Sequence, residues 1–362
     1  MFRMRVVQAE FGDCFLLEYG SAVAPRFLLV DGGPPDTWEL HLESELAGIA
    51  QVGGALDLVM LSHVDNDHIV GLLDLLARLR ADGAAPLIGV GGIWHNSFGR
   101  TVDVDGTLGP RLRAATMNAA SVQSAVAVNG IAEGNALRLA AQALGIPLNA
   151  GFPGDLVCAD DHPQPVLLGN LKLTVVGPTR ANLDELRAQW ETWLAAHEDA
   201  VADGDPQVMA NSDRSVPNLS SIVVLAEADG KRVLCTGDGR SDHLLQGLGQ
   251  AGLLDAGGAV HVDVLKVAHH GSDRNATRKF FRLVTADTYV LSANGKDDNP
   301  DLATLIWIVE EAGKQGRQIE LFATNDTPSL RELVAERDPA VNGYTLTVMD
   351  PGVHSTTIVL AD

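Results

Sequence analysis

Residues 56–71 read LDLVMLSHVDNDHIVG, and this stretch decides the fold. Residues 56–61 form a nearly continuous apolar run, the pattern of a strand covered on both faces. The run ends in His63, Asp65, Asp67 and His68, four metal-binding side chains within six residues. A helical pattern follows over about residues 69–80, with Leu72, Leu73, Leu76 and Leu79 on one face. The polar cluster therefore occupies a turn at the C-terminal end of a buried strand, where open α/β architectures commonly carry their sites. Imidazole and carboxylate suit zinc, manganese or iron, and such a density of them is costly unless a cation is bound. A charged turn with Asp67 capping the helix would explain the carboxylates, but not two histidines at this spacing.

The same alternation of elements extends in both directions. Upstream, MRVVQAE (4–10), FLLEYG (15–20) and RFLLVDGG (26–33) read as strands, and a helical pattern covers about 38–51. Downstream, strand patterns recur at PLIGVGGIWH (86–95), LKLTVVGP (171–178), VDVLKVAHH (262–270), TYVLSANG (288–295) and IELFATN (319–325). SSIVVLAEADGKRVLCTGD (220–238) predicts a hairpin on an Asp-Gly turn, and YTLTVMDPGVHSTTIVL (344–360) a second hairpin around Pro-Gly. Residues 183–197 predict a helix, and the polar stretch 202–218 a loop. Residues 98–165 carry helical runs broken by Gly and Pro with no strong strand, an insertion or lid within one domain spanning 1–362. Strands interleaved with helices predict an α/β sandwich, two sheets covered by helices.

Composition narrows the class. Hydrophobic residues make up 46% and charged residues 20%, an ordinary globular balance. No stretch approaches the roughly 18 apolar residues of a membrane span, so no membrane association is expected. The opening residues lack a secretory signal, and Cys14, Cys158 and Cys235 are too few and scattered for a disulfide framework. A reducing cytoplasm is the expected location. The formal net charge of −21 opposes tight non-specific binding to long nucleic acid. It leaves room for a local basic groove to which Arg78, Arg80, Arg100, Arg111, Arg113, Arg214, Arg240, Arg274 and Arg278 could contribute. No obligate protein partner is evident.

Two further apolar strands end in ligand-type residues: LCTGDG at Asp238, and LKVAHHGS at His269 and His270. One carboxylate or one histidine pair at a strand end is unremarkable; three such ends in one chain point to a shared centre. The ordered series LLVDGG, SHVDNDHIVG, LCTGDG and LKVAHHGS resembles that of metallo-β-lactamase-fold hydrolases. The familiar H-x-H-x-D-H pattern appears here as H-x-D-x-D-H, with Asp65 in the second position. That form, the doubled His-Gly-Ser and the opening FGDCFLLEYG resemble the hydrolase domain of ComEC-type DNA-uptake proteins. They are also similar to bacterial phosphorylcholine esterases of the same fold. The likeness covers residues from about 1 to 95 and from about 165 to 325.

Carried over position by position, the resemblance implies a metallo-β-lactamase αββα sandwich with a helical insertion and two divalent metal ions, zinc or manganese. His63 and Asp65 would serve the first ion; Asp67, His68 and His270 the second; Asp238 would bridge them. His270 is favoured over His269 as the counterpart of the family's G-H-G ending. Asp13 and Asp31 fall at acidic positions beside the site, although Asp31 reads equally as a turn residue before two glycines. The family's third histidine is missing, its place falling to Asn218, Ser220 or Ser221, and a later histidine before proline is Asn299. His95 ends an apolar strand beside Trp94, either as a capped histidine at a cleft mouth or in contact with substrate. Lys266 either meets an anionic group or faces solvent from its strand.

The function these readings imply is a metal-dependent hydrolase, a phosphodiesterase or nuclease using a metal-bound hydroxide. Asp67 or Asp238 would orient the nucleophile's proton, and the substrate would be a small nucleotide, another phosphodiester or nucleic acid. The alternatives are hydrolysis of a lactam, lactone or thioester, and a non-catalytic regulatory module on a degenerate metal site.

Overall fold

The computed structural model describes residues 1–101, 103, 106–107, 122–162, 164–203 and 220–362. Its strands are β1 (Phe2–Val7), β2 (Phe15–Ser21), β3 (Ala24–Val30), β4 (Leu56–Met60), β5 (Ile93–Trp94), β6 (Val166–Leu168) and β7 (Leu171–Gly177). They continue as β8 (Val223–Ala228), β9 (Lys231–Cys235), β10 (Val260–Lys266), β11 (Val284–Leu291), β12 (Ile319–Ala323), β13 (Tyr344–Val348) and β14 (Ser355–Ala361). One sheet runs β14-β1-β2-β3-β4-β5 and the other β13-β12-β11-β10-β9-β8-β7-β6. Both are mixed. Strands β9 to β13 are parallel, as are β3, β4 and β5, while the β1–β3 meander and β6 to β9 are antiparallel.

Alternation along the strands explains why the sheets face each other. Met4, Val6, Leu17, Leu28, Val30 and Met60 of the first sheet share one buried layer with Val175, Val224, Val233, Val264, Val290 and Phe322 of the second. Their immediate neighbours point the other way. Leu16, Leu29 and Val59 pack under α1 (Glu43–Gln51), α2 (Asn66–Asp82) and α3 (Val122–Ala143), through Leu46, Ile49, Leu72, Leu76 and Leu137. A fourth helix, α4 (Arg180–Asp203), follows β7. On the far side Leu225, Leu234, Leu265 and Leu321 are covered by α5 (Ser241–Gln250), α6 (Arg278–Leu283), α7 (Leu302–Lys314) and α8 (Pro328–Glu336). The architecture is thus the α/β sandwich of two helix-covered sheets that the sequence predicts, in the order α, β, β, α. Among the described residues no helix is long and apolar enough to cross a membrane.

The hairpin at 220–238 forms on Asp229 and Gly230, whose φ values of 49° and 74° suit a two-residue turn between twisted strands. The hairpin expected at 344–360 does not form. β13 joins the second sheet beside β12, and β14 crosses to the first sheet beside β1. The Pro-Gly turn is local, whereas each sheet offers an edge whose unpaired backbone groups reward a partner more than the two strands reward each other. The strand expected over 86–95 shrinks to Ile93–Trp94, because glycines at 89, 91 and 92 interrupt it. α2 begins at Asn66, three residues before the first apolar position of its stripe. The loop expected over 202–218 lies almost wholly outside the described residues, as do Asn218, Arg111, Arg113 and Arg214.

Candidate metal centre

Strand ends from both sheets meet at one edge of the sandwich. Asp13 lies on the loop after β1, Asp31 follows β3, and His63 and Asp65 follow β4. Asp67 and His68 open α2, Asp238 follows β9, and His269 and His270 follow β10. Asp65, not Asp67, occupies the N-cap position of α2, and its side chain makes no capping bond. The capping reading of Asp67 is therefore overturned: its carboxylate lies in the first turn, directed at histidines.

Three imidazoles share one arrangement. His68 Nδ1 lies 2.9 Å from Asp31 Oδ2, His270 Nδ1 lies 2.8 Å from the Ser292 carbonyl, and His63 Nδ1 lies 3.1 Å from Ser62 Oγ. Each ring is anchored through Nδ1, and each Nε2 is buried without a hydrogen-bond partner. Those free nitrogens converge on carboxylates. Asp238 stands 3.6 Å from His63, 3.5 Å from His68 and 3.8 Å from His270. Asp67 stands 3.2 Å from His270 and 3.9 Å from His68, and Asp65 is 3.7 Å from His63. Ligand atoms of His63, Asp67 and His68, and of His68, Asp238 and His270, lie within 4.8 Å of one another. Asp65 and Asp67 each keep 25% of their side chain exposed while Asp238 keeps 3%, so the carboxylates of the turn form the open side.

The turn after β10 is unusual. His269 and His270 have φ values of 50° and 54°, and Gly271 follows at 89°. Consecutive left-handed non-glycine residues are costly and gather at functional sites. Here they direct both rings to Asp238: His269 Nε2 is 3.6 Å away and its Nδ1 is 2.8 Å from Asn275 Oδ1. His269 keeps 23% exposure against 5% for His270, which places it at the mouth.

Charge explains the remaining residues. Burial opposes ionisation of Asp238, yet the His269, His270 and His68 rings hold its carboxyl well below the usual range. Burial likewise opposes protonation of His270, but Asp238 and Asp13 push it up to about 10. His68 is raised by Asp238, Asp67 and Asp31 against the same burial. His63 goes the other way, down to about 3, through burial and the neighbouring His68. Asp65 is pushed up to about 8 by burial and then by Asp67 and Asp238.

Lys266 does not face solvent. It is 1% exposed, ion-paired to Asp13, 3.6 Å from Asp238 Oδ1, and donates to the Gly237 carbonyl at 3.0 Å. With its donors turned inward, it balances the carboxylates rather than meeting a substrate. Asp13 is fully buried, 3.5 Å from His270 Nδ1 and 3.8 Å from His68 Nδ1. Asp31 fulfils both of its readings. At φ 58° it makes the turn, and its carboxylate accepts from Ser62 N–H at 2.6 Å, from Ser62 Oγ at 2.7 Å and from His68. Ser62 is the residue that sequence reasoning missed; its position between the strand and His63 was the available signal.

Other expected residues lie further out. His95 is buried with Nε2 3.2 Å from the Gly134 carbonyl, and belongs to none of the ligand clusters among the described residues. Ser220 and Ser221 are buried just before β8, and Asn299 is buried on the loop after β11. Among the described residues, three of the candidate arginines are taken up by acids on separate elements. Arg78 pairs with Glu43 and Asp82, Arg240 with Glu185 and Asp242, and Arg278 with Glu310 and Glu311, on three different helices or helix starts.

The donor set fits divalent cations. Buried, unpartnered imidazole nitrogens facing ionised carboxylates are what such a cation would satisfy, and histidines anchored through their second nitrogen are the usual form of metal-ligating ones.

Comparison with known proteins adds little to this geometry. No family model matches the chain. Rat (Rattus norvegicus) microtubule-associated protein 1A is 30% identical over 157 residues, 41% of this chain. The matched region spans 5% of that relative's length. A crystal structure of a new diphosphatase from the PhnP family aligns over 99% of this chain and 98% of its own, with a TM-score of 0.39 and 11% identity. A likeness at that level transfers neither fold nor activity, and the architecture above stands on its own strand order.

Proposed function

We propose that this protein is a metal-dependent hydrolase that cleaves a small phosphodiester at the centre formed by His63, Asp65, Asp67, His68, Asp238 and His270. The observation that carries the reading is the trio of anchored imidazoles, each presenting a buried, unpartnered Nε2 to shared carboxylates. His63 and Asp65 would hold one cation, and Asp67, His68 and His270 a second, with Asp238 between them. When bound, divalent cations lower the pKa of a water ligand towards about 7 and offset negative charge developing on a phosphoryl group.

The chain's own residues supply the rest. Asp31, Ser62 and Ser292 fix the ring orientations, so the free nitrogens are set before anything binds. Asp67, partly exposed on the open side, would orient the nucleophile's proton there. The acid-rich donor set favours phosphoryl chemistry, in which cations meet substrate oxygens of high negative charge. A small substrate is favoured over a long polyanion because Arg78, Arg240 and Arg278 are each paired with neighbouring acids, against a net charge of −21.

The test is hydrolysis of bis-p-nitrophenyl phosphate by apo-protein loaded separately with Zn²⁺ and Mn²⁺. Asp67→Ala serves as the control, and a lactam and a thioester are run alongside. Metal-dependent phosphodiester turnover that disappears in Asp67→Ala is the expected result. Cleavage of the lactam or thioester alone would assign carbonyl chemistry instead, and silence on all three with metal bound would make this a binding module.

A further inference from the structure

Two further imidazoles meet outside the centre described above. His41 lies in the helical turn Trp38–Leu42, which runs on into α1, and His354 immediately precedes β14. Their Nδ1 atoms are 3.3 Å apart, and their ring centroids are 5.5 Å apart with the planes inclined at 64°. His41 is half-buried and His354 exposed, so the pair is open to water.

The surrounding elements hold the pair together. The His354 carbonyl accepts from Gln8 N–H at 2.9 Å, just past the end of β1. Ser355, the next residue, donates from Oγ to Glu45 at 2.6 Å, and Glu45 follows His41 by about one helical turn. The other oxygen of Glu45 pairs with Arg5 at 2.7 Å. As a hydrogen bond the imidazole contact is long, since N–H···O bonds centre near about 2.9–3.0 Å. It matches instead two nitrogens on one tetrahedral cation, because metal–nitrogen bonds of about 2.0–2.1 Å place such ligands roughly 3.3–3.4 Å apart.

We propose that His41 and His354 form a separate site for Zn²⁺, held through both Nδ1 atoms with water in the remaining positions. A donor pair of neutral imidazoles suits Zn²⁺ and disfavours Mg²⁺, which prefers oxygen. The bound cation joins residues 313 positions apart in the chain. It fastens the start of β14, an edge strand whose neighbour in the sheet is β1, to the helix that follows β3. Such a link stabilises the folded chain in proportion to how tightly the cation binds it. The site uses none of the residues of the centre proposed above, and its test does not depend on that centre.

The test follows the full chain, labelled with ¹⁵N in its histidines, by nuclear magnetic resonance during titration with Zn²⁺ and, separately, with Mg²⁺. His41→Gln and His354→Gln assign the two rings, and circular dichroism checks that each variant folds. In wild type the Nδ1 resonances of both rings should move together at micromolar Zn²⁺ and stay in place with Mg²⁺. Loss of either ring should weaken zinc at the other by more than the roughly ten- to hundredfold that an outer partner of a ligand costs. The rise in thermal midpoint that Zn²⁺ produces should also be smaller in either variant than in wild type. Movement of one ring alone, movement only at millimolar Zn²⁺, or the same zinc affinity at His41 with and without His354 would overturn the proposal.

Discussion

Replacing Gly71 by alanine adds one methyl group where two backbones meet, and the structure sets the size of the effect. An ideal Cβ at Gly71 would lie 2.0 Å from the Gly32 carbonyl oxygen and 2.9 Å from its carbon. Ordinary carbon–oxygen approaches stop near roughly 3.3 Å. Either α2 or the turn 31–33 must therefore withdraw by about 1 Å, since neither partner is a flexible side-chain tip. The two segments are pinned by hydrogen bonds from Gly32 N–H to the His68 carbonyl at 2.7 Å and from Gly71 N–H to the Gly33 carbonyl at 3.3 Å. They also carry the Asp31–His68 contact of 2.9 Å, which a shift of that size would stretch beyond hydrogen-bonding range. Overpacking of this kind costs about 1–3 kcal/mol. Loss of the contact orienting a metal-binding histidine costs about ten- to a hundredfold in cation affinity. Urea denaturation should show a lower midpoint at unchanged slope, and calorimetric titration a weaker cation site. Gly48→Ala on α1 is the control. Nothing lies within 4 Å of its added Cβ, so it should be neutral or stabilise by about 0.5–1 kcal/mol. A Gly71→Ala protein as stable as wild type, with unaltered cation affinity, would refute the claim that these glycines hold the ligand turn in place.

The remaining predictions concern buried charge. Lys266→Met leaves Asp13 buried without its ammonium partner, which should cost up to about 3–5 kcal/mol in chemical denaturation, the His270 and His68 rings offsetting part of it. Adding Asp13→Asn should recover part of that loss, and a double variant worse than the single would contradict the pairing. His95 is held down to about 4 by burial and by Arg138, against the bond to the Gly134 carbonyl that raises it. Between about pH 6.5 and 4 the unfolded chain takes up a proton there that the folded chain refuses, so stability falls with pH across that window, by about 3 kcal/mol at its lower end. His95→Gln should remove that share of the slope, and identical slopes in the two proteins across pH 4 to 7 would count against it.

What could be read from the sequence was whatever a single segment states by itself. The run before His63, the Asp229-Gly230 turn and the apolar stripe of α2 each carry their signal within a few residues; the first two form where they were expected, and the stripe does so with Leu75 buried in place of the expected Leu73. Convergence of separate strand ends could also be anticipated, because the polar residues terminate apolar runs that must be buried. What depends on a distant partner could not. Asp350-Pro351-Gly352 makes a turn, but whether its flanking strands pair was decided by free edges at β12 and β1, hundreds of residues from at least one of them. Alternation puts Lys266 on the apolar face of its strand with Val262 and Val264, and nothing nearby in sequence shows what would compensate a charge there. It is buried because Asp13, more than 250 residues earlier, supplies the opposite charge.

That lysine also bears on the number of cations the proposed centre would hold. Asp13, Asp31, Asp65, Asp67 and Asp238 bring five carboxylates into one small volume, and Lys266 offsets one of them. On the proposed reading, two divalent ions offset the other four and leave the ionised site neutral; one ion would leave two charges uncompensated in surroundings that tolerate them poorly. The same carboxylates raise His68 and His270 against the burial that opposes their protonation. Ligands, counter-ion and anchoring residues are thus parts of one electrostatic balance. Changing Asp13 or Lys266, neither of which need touch a metal, should disturb cation binding as surely as changing His63.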